Sequence, residues 1–246
     1  MNKGEQAQDA TQESTRGRAV HEFSEDALGF GVVELRTARD LLLKPAMVLD
    51  AWMTGGPTGH GRYSRPLRLY LVLNAVLMLI LFLKGGSGHL LEHLPPAILD
   101  QAVQASGKSP DAFVSRADGW MTLIMVPLLS AVYVLAAAPF LYWWDRERTG
   151  WRRALRTGYA YLNAWTVPIL PISWFSYGSG PGAAVASLFM LVLGFVAFIR
   201  MGRGRWYRSR LGGLGKASVL MGALMAAVMI GGQIVVGIGV FAAILG

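Results

Sequence analysis

Runs of apolar residues that reach bilayer length alternate along this chain with short polar gaps. From about Leu67 to Leu83, Trp120 to Trp143, Tyr159 to Tyr177, Ala183 to Ile199 and Ala217 to Leu245, hydrophobic residues dominate and Asp, Glu, Lys, Arg and His are absent away from the ends. A helix rises 1.5 Å per residue, so a hydrocarbon core of about 30 Å needs roughly 20 such residues. The pattern predicts an all-α integral membrane protein with five transmembrane helices. Tyr142, Trp143 and Trp144 close the second run, as amphipathic rings do at the headgroup level. The third run holds Pro168 and Pro171, which predict a kink.

Upstream of the spans the pattern changes twice. Met1 to Ser24 is rich in Gln, Glu, Thr, Ser and Gly, and is expected to be a disordered tail. It lacks the apolar core of a cleavable signal peptide, so an internal span is expected to direct insertion. Residues 25–66 are expected to form an amphipathic helical unit, with Leu35, Ala38, Leu42, Leu49 and Trp52 near one face and a break at Pro45. Arg36, Arg39 and Lys44 lie alongside. Two placements suit this unit: flat on the cytoplasmic leaflet, or packed against the cytoplasmic ends of the spans.

Charge supplies the orientation. Nine basic residues lie at or before Arg68, five between spans two and three, and six around the loop after span four; three follow span one, and Gly178 to Gly182 has none. Twenty of the 23 basic residues thus fall on alternate gaps. Lys/Arg bias in short loops sets topology, so the N-terminus is expected in the cytoplasm and the C-terminus in the periplasm of a bacterial inner membrane. The composition agrees: 53% hydrophobic, 15% charged, net charge +8, mean hydropathy +0.40. Such charge points to anionic headgroups rather than nucleic acid. Arg203, Arg205, Trp206, Tyr207, Arg208 and Arg210 form a purely positive loop, because no Asp or Glu follows Glu147. With Arg152 and Arg156 they are the expected lipid-headgroup contacts.

Two stretches carry a family resemblance. Arg65-Pro66-Leu67-Arg68-Leu69-Tyr70-Leu71-Val72, with Leu43-Lys44-Pro45 and Trp52-Met53-Thr54-Gly55 upstream, resembles a family of uncharacterised bacterial membrane proteins whose first helix reads Pro-Leu-Arg-x-Tyr-Leu-Val. Members often carry a cysteine-rich zinc ribbon. This chain has no cysteine, so no metal role carries over. Thr149-Gly150-Trp151-Arg152-Arg153-Ala154-Leu155-Arg156, followed by Pro168 and Pro171, resembles the loop and third helix of Yip-type proteins, which have five spans and a cytoplasmic N-terminus. That resemblance implies a non-enzymatic role in membrane organisation, with membrane or cytoplasmic protein partners.

Candidate chemistry is sparse. His89-Leu90-Leu91-Glu92-His93 has the H-x-x-E-H spacing of inverted zinc metallopeptidases, but Pro95 and Pro96 cut the helix short and no downstream carboxylate exists to complete a ligand set. No catalytic residue, metal or cofactor is expected. Spans without interior charge disfavour ion-coupled transport and leave room for a carrier of neutral or lipidic cargo as the alternative function. Asn74, Ser130, Asn163, Thr166, Ser173 and Gln233 are expected to hydrogen-bond between helices. In span five, Ala223, Ala227, Gly231 and Gly239 form a stripe of small residues, with Gly222, Gly232 and Gly237 nearby. It is read as tight packing inside the bundle, with a homo-oligomer as the other use. Gly202, Gly204, Gly212, Gly213 and Gly215 follow no strand and do not make a phosphate loop.

Overall fold

A computed structural model describes residues 31–147, 150–177 and 180–245. The expected disordered tail, Met1 to Ser24, and the start of the helical unit lie outside the described residues. Within them the chain is helical, without a β-strand. In order run α1 (Val32–Leu43), α2 (Pro45–Thr54), α3 (Pro66–Leu83), a 3₁₀ turn (Gly88–His93), α4 (Pro96–Ser106), α5 (Pro110–Trp144), α6 (Trp151–Ser176), α7 (Pro181–Gly202) and α8 (Arg210–Leu245). Proline opens α2, α3, α4, α5 and α7. The first helical position needs no N–H and its φ is already helical, so proline starts these helices where it would break them further in.

Four helices are long and apolar enough to cross a membrane: α3, α5, α7 and α8. Helix α6, which contains the expected third span, has 26 residues but is less apolar. Its position explains why. Thr157, Ala160, Tyr161, Leu162, Asn163, Ala164, Trp165 and Thr166 are all buried, so α6 runs through the centre of the bundle and has little outer surface to cover with aliphatic side chains. The neighbours are the reverse. Leu71, Phe82, Leu135, Val185, Leu188, Met229 and Phe241 are each at least 60% exposed. A bundle whose outside is a continuous apolar surface is built for lipid, since soluble monomers keep such patches small.

Helix α8 lies antiparallel along α5. A Cβ on Gly231 would meet Leu129, and one on Gly239 would meet Met121, while Gly222, Gly232 and Gly237 face open space. The buried glycines therefore seat α8 against α5 inside the bundle. At the far end of this pair, the 3₁₀ turn, α4 and the first turns of α5 form a small separate core around Leu91, Phe113 and Met121. Lys108 Nζ donates to Ala243 O across it at 2.7 Å. The H-x-x-E-H stretch forms a 3₁₀ helix. With about three residues per turn, residues four apart do not share a face there.

The N-terminal unit packs on the opposite end. Val48, Leu49 and Trp52 join the main core with Leu69, Tyr161 and Phe198. Trp52 Nε1 donates to Ser64 O at 3.0 Å, and Arg156 Nη1 donates to Trp52 O at 3.0 Å. In α1 the face turned toward the bundle is not the one that carries Leu35 and Leu42. Glu34, Thr37, Asp40 and Leu41 are buried, whereas Leu35 is 59% and Leu42 40% exposed. The polar groups turn inward because the loop ahead of α3 supplies their partners: Ser64 Oγ donates to Glu34 Oε1, Ser64 N donates to Thr37 Oγ1, and Arg68 pairs with Glu34.

Candidate functional site: a basic groove at the membrane boundary

The basic segments of the chain, far apart in sequence, converge on one end of the bundle. Arg200 Nη2 donates to Leu43 O at 2.8 Å, tying α7 to the α1–α2 junction. Lys216 Nζ donates to Trp206 O at 2.7 Å and lies over the Trp144 ring. Arg205 reaches back to the end of α5, 2.9 Å from Asp145 and 3.1 Å from Glu147. Lys84 sits at the other end, over the Trp174 ring.

A groove of about 680 Å³ opens at the basic end between α2, the end of α7 and the start of α8. Its floor is apolar, from Leu43, Pro45, Met47, Ile199 and Leu214, and its rim carries Lys44, Arg200, Arg203, Arg208 and Arg210. No acidic side chain lines it. Among the described residues, the ion pairs found do not involve Arg203, Arg208 or Arg210. Guanidinium groups bind phosphate oxygens in a bidentate way. An apolar floor under a cationic rim therefore suits an anionic headgroup whose chains lie against Met47 and Leu214.

The sequence-predicted contact residues divide here. Arg203, Arg208 and Arg210 are exposed and line the groove, and Arg152 is exposed on the first turn of α6. Arg205 is turned inward onto Asp145, with its side chain 13% exposed. Trp206 is fully buried, which corrects its placement at the lipid surface, whereas Tyr207 is buried except for an edge that lines the groove. The physical reason is a compact turn. Arg205 N and Trp206 N both donate to Gly202 O, and Gly204 N donates to Tyr207 O. That folds the two rings back over Phe198, stacked at 5.0 Å from Trp206 and 6.0 Å from Tyr207. Gly202 and Gly213 make room for them, since a Cβ on either would collide with Trp206 or Tyr207 respectively. Burial pushes the Tyr207 hydroxyl up, although the Arg203 charge opposes the shift, and that hydroxyl donates to Ile199 O. Arg156 is spent on Trp52 O. Lys44 and Arg200, which complete the rim, were not among the predicted contacts; they belong to separate clusters that only the α2–α7 packing unites.

An all-helical bundle with an apolar outer surface and one cationic end defines a multi-pass membrane protein. The chain matches no protein-family model, no curated protein and no solved structure.

Proposed function

We propose that this protein is a non-enzymatic, five-span membrane organising or interaction protein of Yip-like type, in a bacterial inner membrane, with its basic end in the cytoplasm. The working surface is the groove at that end, holding an anionic phospholipid. The observation that carries the reading is the rim: Lys44, Arg200, Arg203, Arg208 and Arg210 gathered over an apolar floor with no acidic side chain among them. Each basic group near an anionic leaflet contributes on the order of 1 kcal/mol. Leu43 and Met47 of the floor are themselves exposed, so the floor is open toward the acyl chains. Partners are membrane lipids and, through the same cytoplasmic face, other proteins.

The fifth crossing is α6. Its first turns meet Trp52 at the basic end, and Trp174 near its last turn meets Lys84 at the other. Twenty-six residues give about 39 Å at 1.5 Å each, enough for the hydrocarbon core.

The lipid reading is tested in nanodiscs with a rising fraction of phosphatidylglycerol, counting retained lipid by native mass spectrometry. The triple variant Arg203→Gln, Arg208→Gln, Arg210→Gln is expected to lose retention about tenfold, and Arg116→Gln at the opposite end to leave it unchanged. Equal retention by both variants sinks the proposal.

A second reading, a carrier for a neutral or lipidic cargo, is favoured by one observation. The five long helices surround a cavity of about 340 Å³ with no charged lining residue.

A further inference from the structure

The central cavity draws its lining from α3, α5, α6, α7 and α8. Its walls are mostly aliphatic, aromatic and thioether groups, with hydroxyls set among them. Tyr133, Thr166, Tyr177 and Ser187 are among its lining residues; Ser187 is exposed and the two tyrosines are half-buried, while Thr166 is buried, and none of the four makes a side-chain hydrogen bond with another described residue. Thr166 is 7% exposed, so it is an unpartnered polar side chain more than nine-tenths buried and facing this space. A hydroxyl in an apolar setting without a partner costs free energy, and a ligand that hydrogen-bonds to it recovers that cost.

A second recess, also about 340 Å³, lies between α3 and α5. It is bounded by Leu67, Leu71, Met78, Pro127 and Ala131, and Leu71 is 60% exposed on the outer surface. The two spaces share Tyr70, Asn74, Val126 and Ser130, which form the wall between them. Three of these are latched. Tyr70 OH donates to Ser130 O at 2.9 Å, Asn74 Nδ2 donates to Tyr70 O at 2.7 Å, and Ser130 Oγ donates to Asn74 Oδ1. Pro127 lies on α5 one turn before Ser130 and cannot donate the backbone bond that would stiffen the helix there.

We propose that the central cavity binds an uncharged amphiphile, one apolar chain with a hydroxyl or ester head, which enters sideways from the bilayer through the α3–α5 recess past the Tyr70–Asn74–Ser130 latch. The charge limit is chemical: no carboxylate, ammonium, guanidinium or imidazole lines the cavity, and a charged head there would be desolvated without a counterion. The volume falls at the low end of ligand pockets, about 300–1,000 Å³, which favours one chain over a two-chain phospholipid. This inference rests on the second reading only in placing a ligand within the bundle, and it requires no transport. It is independent of the basic groove.

The test uses full-length protein in phosphatidylcholine nanodiscs with a diazirine-bearing monoacylglycerol, irradiated and mapped by peptide mass spectrometry. Adducts are expected at Met125 and Met190 on the cavity wall, at least fivefold above those at Leu79 and Phe241 on the outer face. Val228→Phe fills the cavity and is expected to abolish that excess; Ser187→Phe serves if the first variant fails to fold. Ala131→Trp fills only the recess and is expected to cut cavity adducts at least fivefold in a short pulse after probe addition. A diazirine fatty acid is expected to label only the outer face. Equal labelling inside and outside, no effect of either filling variant, or equal cavity labelling by the charged probe overturns the site. Unchanged early labelling in Ala131→Trp overturns the lateral route. Cavity labelling without flux in liposomes removes the carrier and leaves this site standing.

Discussion

Asp40 shows how a single residue fixes the N-terminal unit and makes it sensitive to acid. Burial raises its pKa, but the hydrogen bond and charge of Arg39, the Tyr63 hydroxyl and the Arg62 charge together outweigh burial and hold the carboxyl below its ordinary value. A carboxyl with a lower pKa folded than unfolded contributes stability above its unfolded value, about 4, and that contribution is lost as pH falls through the folded value. Denaturant midpoints of the wild type in detergent are therefore expected to drop between pH 7 and pH 3.5, and Asp40→Asn to lower the midpoint at pH 7 while shrinking the drop. An identical drop in both proteins counts against the role given to Asp40. This residue was hidden in the sequence for a physical reason. Apolar periodicity in α1 marks Leu35 and Leu42, which point outward; in a membrane protein the apolar face of a peripheral helix belongs to lipid as readily as to the core. Trp206 misled in the same way. A tryptophan between arginines reads as interfacial, and only the small residues Gly202 and Gly213, together with the acidic partner of Arg205 at Asp145, signal that the turn folds inward.

At the scale of elements, the prolines and the small residues of the last helix carried the most legible information. Pro45 marks the break in the N-terminal helical unit, and α2 begins there. The stripe in α8 was less complete, because sequence spacing cannot separate glycines that touch a neighbour from glycines that face lipid. Gly239 would bring a Cβ to 2.3 Å from Met121 Cγ and 3.1 Å from Ala117 O, whereas Gly237 has nothing within 4 Å. Gly239→Leu is expected to force α8 away from α5 and lower stability by about 1–3 kcal/mol, the usual range for overpacking. Gly237→Leu is expected to stay within about 0.5 kcal/mol. Unfolding of both variants in the same detergent checks this, and equal losses would show that α8 does not use Gly239 as its seat. Polar residues divide similarly. Asn163 Nδ2 donates to Pro66 O, joining α6 to α3, while Gln233 is exposed on α8.

For the whole molecule, the decisive question is why the helix with the weakest membrane signal is the one at the centre. Hydropathy reports contact with lipid, and a helix surrounded by others needs little of it. Helix α6 instead carries Tyr161, Asn163, Trp165 and Thr166, all buried among its neighbours, and Tyr161 OH and Trp165 Nε1 donate to backbone carbonyls of α7. If α6 crosses, the α6–α7 turn lies on the side opposite the basic groove, together with α4; if it does not, that turn lies on the side of α1 and α2, and the loop after α7 moves to the other side, away from Lys44 and Met47. The absence of cysteine makes this directly measurable with single-cysteine variants and a membrane-impermeant maleimide. Arg36→Cys, Arg152→Cys and Arg208→Cys are expected to react only after the membrane is opened from the cytoplasmic side, and Gln104→Cys and Gly182→Cys to react in intact spheroplasts. Gly182 and Arg208 decide between five crossings and four, because both follow α6, whereas Arg36, Gln104 and Arg152 keep their sides through α3 and α5 whatever α6 does. Reaction of Gly182→Cys only in opened membranes would place both ends of α6 in the cytoplasm. That outcome would also strand the central cavity, since α6 would no longer pass between α3 and α7 at bilayer depth.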